Sequence, residues 1–232
     1  MHRHTLLAVA VALAAVTFAA PRPADAGDLQ LGAGVTTAYP SASSFDALSD
    51  DNRHGSGGLS VAYSLPIDHL RVYAELNSTG TERNRFDGDY HFNWQRGMYL
   101  AGVDWGPTFG GFFRPFFRVT AGYARHRLQV NPEYASNFGQ TAHDFATKDS
   151  VGFELFLPMA DPSNPDSPSF AFSENFTIGL TAQAGYLWQT KSDYTQMTTD
   201  AGGDWQRSGI DLGRLDASGA FWDMGVFVRF GL

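Results

Sequence analysis

Phe221-Trp222-Asp223-Met224-Gly225-Val226-Phe227-Val228-Arg229-Phe230-Gly231-Leu232 is the stretch on which the reading of this chain turns. Every second residue, Trp222, Met224, Val226, Val228, Phe230 and Leu232, is apolar, while the other parity carries Asp223, Arg229 and two glycines. A period of two is the signature of a strand with two unlike faces. One face has no charge and no glycine; the other has both.

Working back from this strand, seven more segments repeat the pattern, each ended by residues rich in Gly, Asp, Asn and Ser. The predicted strands are Leu29 to Tyr39, Gly58 to Leu65, His69 to Asn77, Met98 to Trp105, Phe113 to Ala124, Val151 to Leu157, Phe176 to Trp188 and Phe221 to Leu232. In the fifth, Phe113, Pro115, Phe117, Val119, Ala121 and Tyr123 form the apolar parity; in the seventh, Phe176, Ile178, Leu180, Ala182, Ala184, Tyr186 and Trp188. All strand charges fall on the opposite parity: Arg71, Glu75, Asp104, Arg114, Arg118, Glu154, Asp223 and Arg229. Met98, Leu100, Phe116, Phe156, Leu187 and Phe227 share that parity.

Two features decide which face is inside. Aromatic residues of the uncharged parity cluster at the strand ends, with Tyr39, Tyr99, Tyr123, Trp188 and Trp222 at one edge and Trp105, Phe113, Phe176 and Phe230 at the other. Those are the places of interfacial girdles in a membrane barrel. The charged parity is balanced, arginine against carboxylate, as an enclosed lumen requires and a wetted surface does not. The expectation is an all-β, transmembrane, antiparallel up-and-down barrel with its apolar face in lipid and the eight charges in the lumen as structural ion pairs. A mean hydropathy of −0.23 is compatible, because such a wall shows lipid only alternate residues.

The connections set the topology. Those after odd strands, Pro40 to Gly57, Ser78 to Gly97, Arg125 to Ser150 and Gln189 to Ala220, read as long outer loops; Pro66-Ile67-Asp68 and Gly106 to Phe112 read as short turns. Pro158 to Asn175, rich in proline, is long where a short turn is expected, and keeps a ten-stranded barrel open beside the eight-stranded one.

At the N-terminus, His2, Arg3 and His4 precede the apolar run Leu6 to Ala20, and Ala24-Asp25-Ala26 offers a small-x-small cleavage pattern. The run is shorter than the roughly 20 residues of a membrane-spanning helix, so residues 1–26 read as a cleaved signal peptide and 27–232 as one barrel domain. With no cysteine, neither a disulfide framework nor an N-terminal lipid anchor is expected. A formal charge of −8 argues against nucleic acid as a partner.

The chain resembles the small outer-membrane barrels, the OmpA-barrel, OmpX/Ail and OmpW-like group. The resemblance rests on the signal peptide, on Leu29-Gln30-Leu31-Gly32-Ala33-Gly34-Val35, on Pro115-Phe116-Phe117-Arg118-Val119-Thr120-Ala121-Gly122-Tyr123 and on the last strand. In that group the final strand is read by the barrel-assembly machinery through its alternation and a terminal aromatic; here the chain ends on Leu232 with Phe230 before it. The resemblance implies residence in the bacterial outer membrane, contact with outer-membrane lipid and lipopolysaccharide, and an extracellular ligand met by the loops. Because the chain stops at the last strand, no C-terminal peptidoglycan-binding domain is expected. The expected role is structural or surface-interacting around a plugged lumen, since eight strands leave room only for their own side chains. A small-solute channel of the OmpW type is the alternative, and a lipid-modifying barrel enzyme a more distant one.

No catalytic, cofactor or metal site is expected. Of His54, His69, His91, His126 and His143, the best base candidates are His126 and the pair His143-Asp144, but neither has a neighbouring Ser-Asn context like that of barrel lipases. Asp87-Gly88-Asp89, Asp46 with Asp50 and Asp51, and Asp161 to Asp166 offer carboxylates, but a calcium cage needs six or more oxygens and a turn glycine. They read as solvated loop acids, able at most to share divalent ions with lipopolysaccharide phosphates.

Overall fold

The computed structural model describes residues 27–41, 53–85, 90–109, 112–132, 138–157, 176–194, 198–199 and 213–231. Residues 1–26, expected to be a signal peptide, the 158–175 connection and the acids of 42–52, 87–89 and 161–166 lie outside them.

Eight long strands make a single closed wall. They are β1 (Asp28–Pro40), β2 (His54–Ser64), β3 (Leu70–Arg85), β4 (Tyr90–Trp105), β5 (Phe113–Pro132), β6 (Phe138–Phe156) and β7 (Phe176–Gln189), followed after three short pieces by β11 (Gly219–Gly231). The short pieces are β8 (Ser192–Asp193), β9 (Thr198–Thr199) and β10 (Arg214–Leu215). Each long strand pairs antiparallel with its chain neighbour, and β1 pairs with β11 from Asp28↔Gly231 to Pro40↔Gly219, so the sheet has no free edge. The barrel therefore has eight strands and not ten, and between the girdles each wall strand is paired on both sides, as a bilayer requires.

The apolar parity faces outward. Val35, Leu59 and Val151 are 60–63% exposed, and Leu31, Val103, Phe117, Val119, Phe153, Leu180, Met224 and Val226 are exposed with them. In water so large an apolar surface would drive association; in a bilayer it is what the wall must present. Tyr63 shares this parity but is buried, its ring lying against Gly27 at the start of β1. The girdles also form: Trp222 Nε1 donates to Tyr39 Oη at 3.2 Å, Tyr99 and Tyr123 lie 6.3 Å apart at the upper edge, and Phe176 meets Phe230 edge-on at 5.3 Å at the lower.

Five strands run well beyond their sequence pattern. β2 starts at His54, inside what reads as the loop 40–57, and β3 to β6 continue to Arg85, from Tyr90, to Pro132 and from Phe138, through most of what reads as the loops 78–97 and 125–150. The reason is physical: past the upper girdle the outer face meets water, so Gln95, Arg125, Arg127 and His143 replace apolar residues and the alternation disappears while the pairing goes on. His69 is a second correction. It is a turn residue with φ 66°, completing the connection in which Leu70 N–H donates to Ile67 O, and β3 starts after it.

Candidate functional site

The interior is layered. In the lower third, Asp104 of β4 and Glu154 of β6 are both wholly buried and stand among four guanidinium groups. Arg71 of β3 grips Asp104 with two parallel bonds, Nε to Oδ1 and Nη2 to Oδ2, both 2.9 Å, and its Nη2 also lies 2.6 Å from Glu154 Oε1. Because β3 and β6 are not neighbours, that last bond crosses the lumen. Arg114 Nη2 lies 2.6 Å from Asp104 Oδ1 and its Nε donates to Gly106 O; Arg118 Nη2 reaches Asp104 Oδ2 at 3.1 Å. Gln30 of β1 ties the far wall in, donating to Glu154 and accepting from Arg71. Arg229 is more peripheral, 3.6 Å from Glu154 and 3.7 Å from the partly exposed Asp28.

One layer higher a second crossing occurs. Lys148 Nζ of β6 donates to both oxygens of Glu75 on β3 at 3.0 and 3.1 Å and lies 3.9 Å from Asp223, which accepts from Thr36. Lys148 is absent from the charges read in sequence because β6 was expected to begin at Val151, leaving Lys148 in a loop. Its parity within the true strand is the inner one. The ring faces of Tyr73 and Phe116 lie 3.5 and 4.4 Å from the Arg118 guanidinium. Glycine makes room for such rings: a Cβ on Gly179 would sit 2.1 Å from the Phe227 ring, so that side chain could not lie where it does. A cavity of ≈ 30 Å³, lined by Gln30, Ser60, Asn77 and Gln183 among others, lies here, with room for a water or two.

Above these charges lies an apolar layer of Ala38, Met98, Leu100, Ala124, Ala146, Leu187 and Phe221. Above it, His126 Nε2 contacts Gln189 Nε2 and lies 3.5 Å from Asp144 Oδ2, which also accepts a short bond from Ser192. The structure thus joins His126 and Asp144, two residues weighed in sequence as possible catalytic groups, and adds a serine. The order is wrong for nucleophilic catalysis: the carboxylate stands between serine and imidazole, so the histidine cannot take the hydroxyl proton. His143 faces the opposite way, stacked on Tyr123 outside the barrel. Arg96 of β4, 4% exposed over the Trp94 ring, has no carboxylate partner among the described residues. At the outer mouth Tyr194, Leu215 and Ala217 from the β7–β11 connection pack onto Trp94, Leu128, Val130 and Phe138. Burial, with the Asp144 carboxylate nearby, raises the Tyr194 hydroxyl above its ordinary range. Nothing in the alternating pattern marks these cap residues; isolated apolar residues in a polar loop were the only sign.

In the extended β6 the outward parity includes Asp149, whose Oδ1 accepts from the Trp188 indole N–H at 3.2 Å. It was hidden for the same reason as Lys148.

A closed, eight-stranded antiparallel barrel with an apolar exterior and paired charges inside is the architecture of the small outer-membrane barrels. Among solved structures the chain is similar to Ail, the attachment invasion locus protein of Yersinia pestis, at 12% identity over 89% of this chain and 99% of that one, with a TM-score of 0.47. It is also similar to the outer membrane protein OprG from Pseudomonas aeruginosa, at 11% over 90% and 98% with 0.47, and to Neisserial surface protein A, at 14% over 89% and 97% with 0.42. No protein-family model matches the sequence, and no curated protein matches it.

Proposed function

We propose that this chain is an outer-membrane barrel whose lumen is plugged by its own side chains, and that it serves as a structural or surface-interacting protein and not as a conduit or an enzyme. The observation that carries this is the pair of cross-lumen bonds, Arg71 to Glu154 at 2.6 Å and Lys148 to Glu75 at 3.0 Å. Side chains that meet across a barrel leave no path between them. The apolar layer and the cap at the outer mouth add two further obstructions. Interaction then falls to the outer rim, where β3 to β6 carry the wall beyond the upper girdle. Planar-bilayer recording tests the plug: the purified barrel should insert without discrete conductance steps, and stable single-channel openings would refute it. The channel reading has one observation in its favour, the small polar cavity beside Gln30, Asn77 and Gln183; it requires conductance that changes when Glu75 or Lys148 is replaced. Residence in the outer membrane is tested by fractionation together with gel migration. Closed barrels hold their hydrogen bonds in detergent until boiled, so unheated and boiled samples should migrate differently. A soluble periplasmic protein recovered without detergent would overturn the assignment.

A further inference from the structure

Between the apolar layer and the cap, the lumen has a polar storey. Ser56, Thr79, Arg96, His126, Asp144 and Gln189 are all on the inner parity there, and all are buried. Met98, Leu187 and Phe221 lie below them, and Trp94, Leu128 and Tyr194 above. The hydrogen bonds of this storey are unevenly met. Its carboxylate, Asp144, is turned toward Ser192 and Thr190, and also accepts from the amide nitrogen of Gln189 at 3.3 Å. A carboxylate only accepts, so that nitrogen is oriented as a donor, and it faces His126 Nε2 as well. Nε2 therefore accepts, and the one proton of the neutral imidazole sits on Nδ1. Burial and the Arg96 cation keep the ring neutral, lowering it to about 3. His126 Nδ1 is buried and has no acceptor among the described residues, and Arg96 Nε has none either. These two orphan donors are neighbours. Arg96 and His126 stand opposite each other in the β4–β5 register, and the Trp94 ring lies 5.4 Å from the guanidinium carbon of one and from the ring centre of the other. Burial lowers Arg96 to about 10 with no carboxylate acting against it, so at neutral pH it is a charged group without a counter-charge in contact.

We propose that Arg96 Nε and His126 Nδ1 bind a small monovalent anion of the chloride type, enclosed in the lumen beneath the cap. A buried cation left alone is strongly unfavourable, and a hydrogen bond from a charged donor to an anion is among the stronger ones. A water molecule would satisfy both donors and leave the charge uncompensated. One negative charge matches the single guanidinium; a dianion would bring an excess of its own into a dry site. The roof of Trp94 and Tyr194 and the apolar floor favour a compact ion over a bulky one. The ion completes the upper obstruction, so the inference rests on the plugged-lumen reading above.

The test is urea unfolding of the whole barrel in lipid vesicles, in sodium chloride or, at equal ionic strength, in sodium isethionate, whose anion is too bulky for the site. An ion that binds only the folded state, present at about ten times its dissociation constant, raises the folded-to-unfolded ratio about tenfold. The wild type should show that rise on going from isethionate to chloride. Arg96→Met should gain less than about twofold from chloride, and in isethionate should be no less stable than the wild type. Equal responses of wild type and Arg96→Met to chloride would overturn the proposal. So would a larger response of the wild type to sulfate than to chloride, since the site is built for one charge. If Arg96→Met does not fold, wild-type crystals grown from sodium bromide decide. An anomalous peak within hydrogen-bond distance of Arg96 Nε and His126 Nδ1 supports the site; a water there, or nothing, overturns it. A barrel that conducts in bilayers fails the plugged reading; a silent barrel indifferent to chloride fails only this inference.

Discussion

Replacing Asp104 with alanine should be among the most damaging single changes in this protein. Asp104 is wholly buried and accepts four charge-assisted bonds, two from Arg71 and one each from Arg114 and Arg118. Without it, Glu154 is the one carboxylate left to Arg71 and Arg114 among the described residues, the latter at 3.5 Å, beside the neutral oxygens of Gln30 and Gly106, and Arg118 keeps the neutral Gln183 at 3.0 Å. Removing one partner of a buried ion pair costs ~3–5 kcal/mol, because the remaining charge is left desolvated. Three guanidinium groups share this carboxylate, so the upper part of that range is expected. Arg114→Ala should cost less, since Asp104 would still be held by Arg71 and Arg118. The double variant should lose less than the two single losses combined, with a coupling of about 1–3 kcal/mol. Urea titration of the barrel folded in lipid vesicles, followed by tryptophan fluorescence and checked by gel shift, gives each value. If both single variants cost under about 0.5 kcal/mol and combine additively, far below the range for buried pairs, the charges are solvated and the plugged lumen is wrong.

Further outcomes follow from the wall and the upper layers. Val119→Arg and Leu180→Arg, both on the exposed apolar face, should each destabilise the barrel by about 2–4 kcal/mol at mid-membrane depth in the same titration, and a loss of only a few tenths would mean that the facing is inverted. Gly179→Ala should cost about 1–3 kcal/mol, because its Cβ must displace the Phe227 ring and crowd the Leu155 carbonyl 2.6 Å away; unchanged stability would show that the lower layer is loosely packed. Arg96→Met should leave stability unchanged or raise it by up to about 2 kcal/mol, since a buried cation without a carboxylate gives up its desolvation cost when replaced by an apolar chain. A clear loss would reveal a counter-anion for the guanidinium.

The sequence determined the class, the strand count on its main reading and the facing of the wall, because lipid imposes a strict rule on alternate residues. From Phe113 to Tyr123, or from Trp222 to Phe230, each outward position must be apolar, and eight such segments can close only one way. It also separated the lumen charges, since Arg71, Glu75, Asp104, Arg114, Arg118, Glu154, Asp223 and Arg229 all lie on the inner parity. Tertiary structure alone decided which of them meet. Arg71 and Glu154 are 83 residues apart and on strands that are not neighbours, so no local spacing joins them; only closure of the sheet and the width of the barrel do. It alone placed Arg125 and His143, because β5 and β6 extend beyond the upper girdle, where water replaces lipid and the rule on alternate residues no longer acts. Lys148 and Asp149 lie lower, paired with Thr120 and Val119; there Asp149 itself breaks the outward alternation, so the readable pattern of β6 starts only at Val151. The same holds for Tyr194, Leu215 and Ala217, which have no period to show. Their burial comes from a loop folding over a barrel mouth that exists only once the barrel has closed.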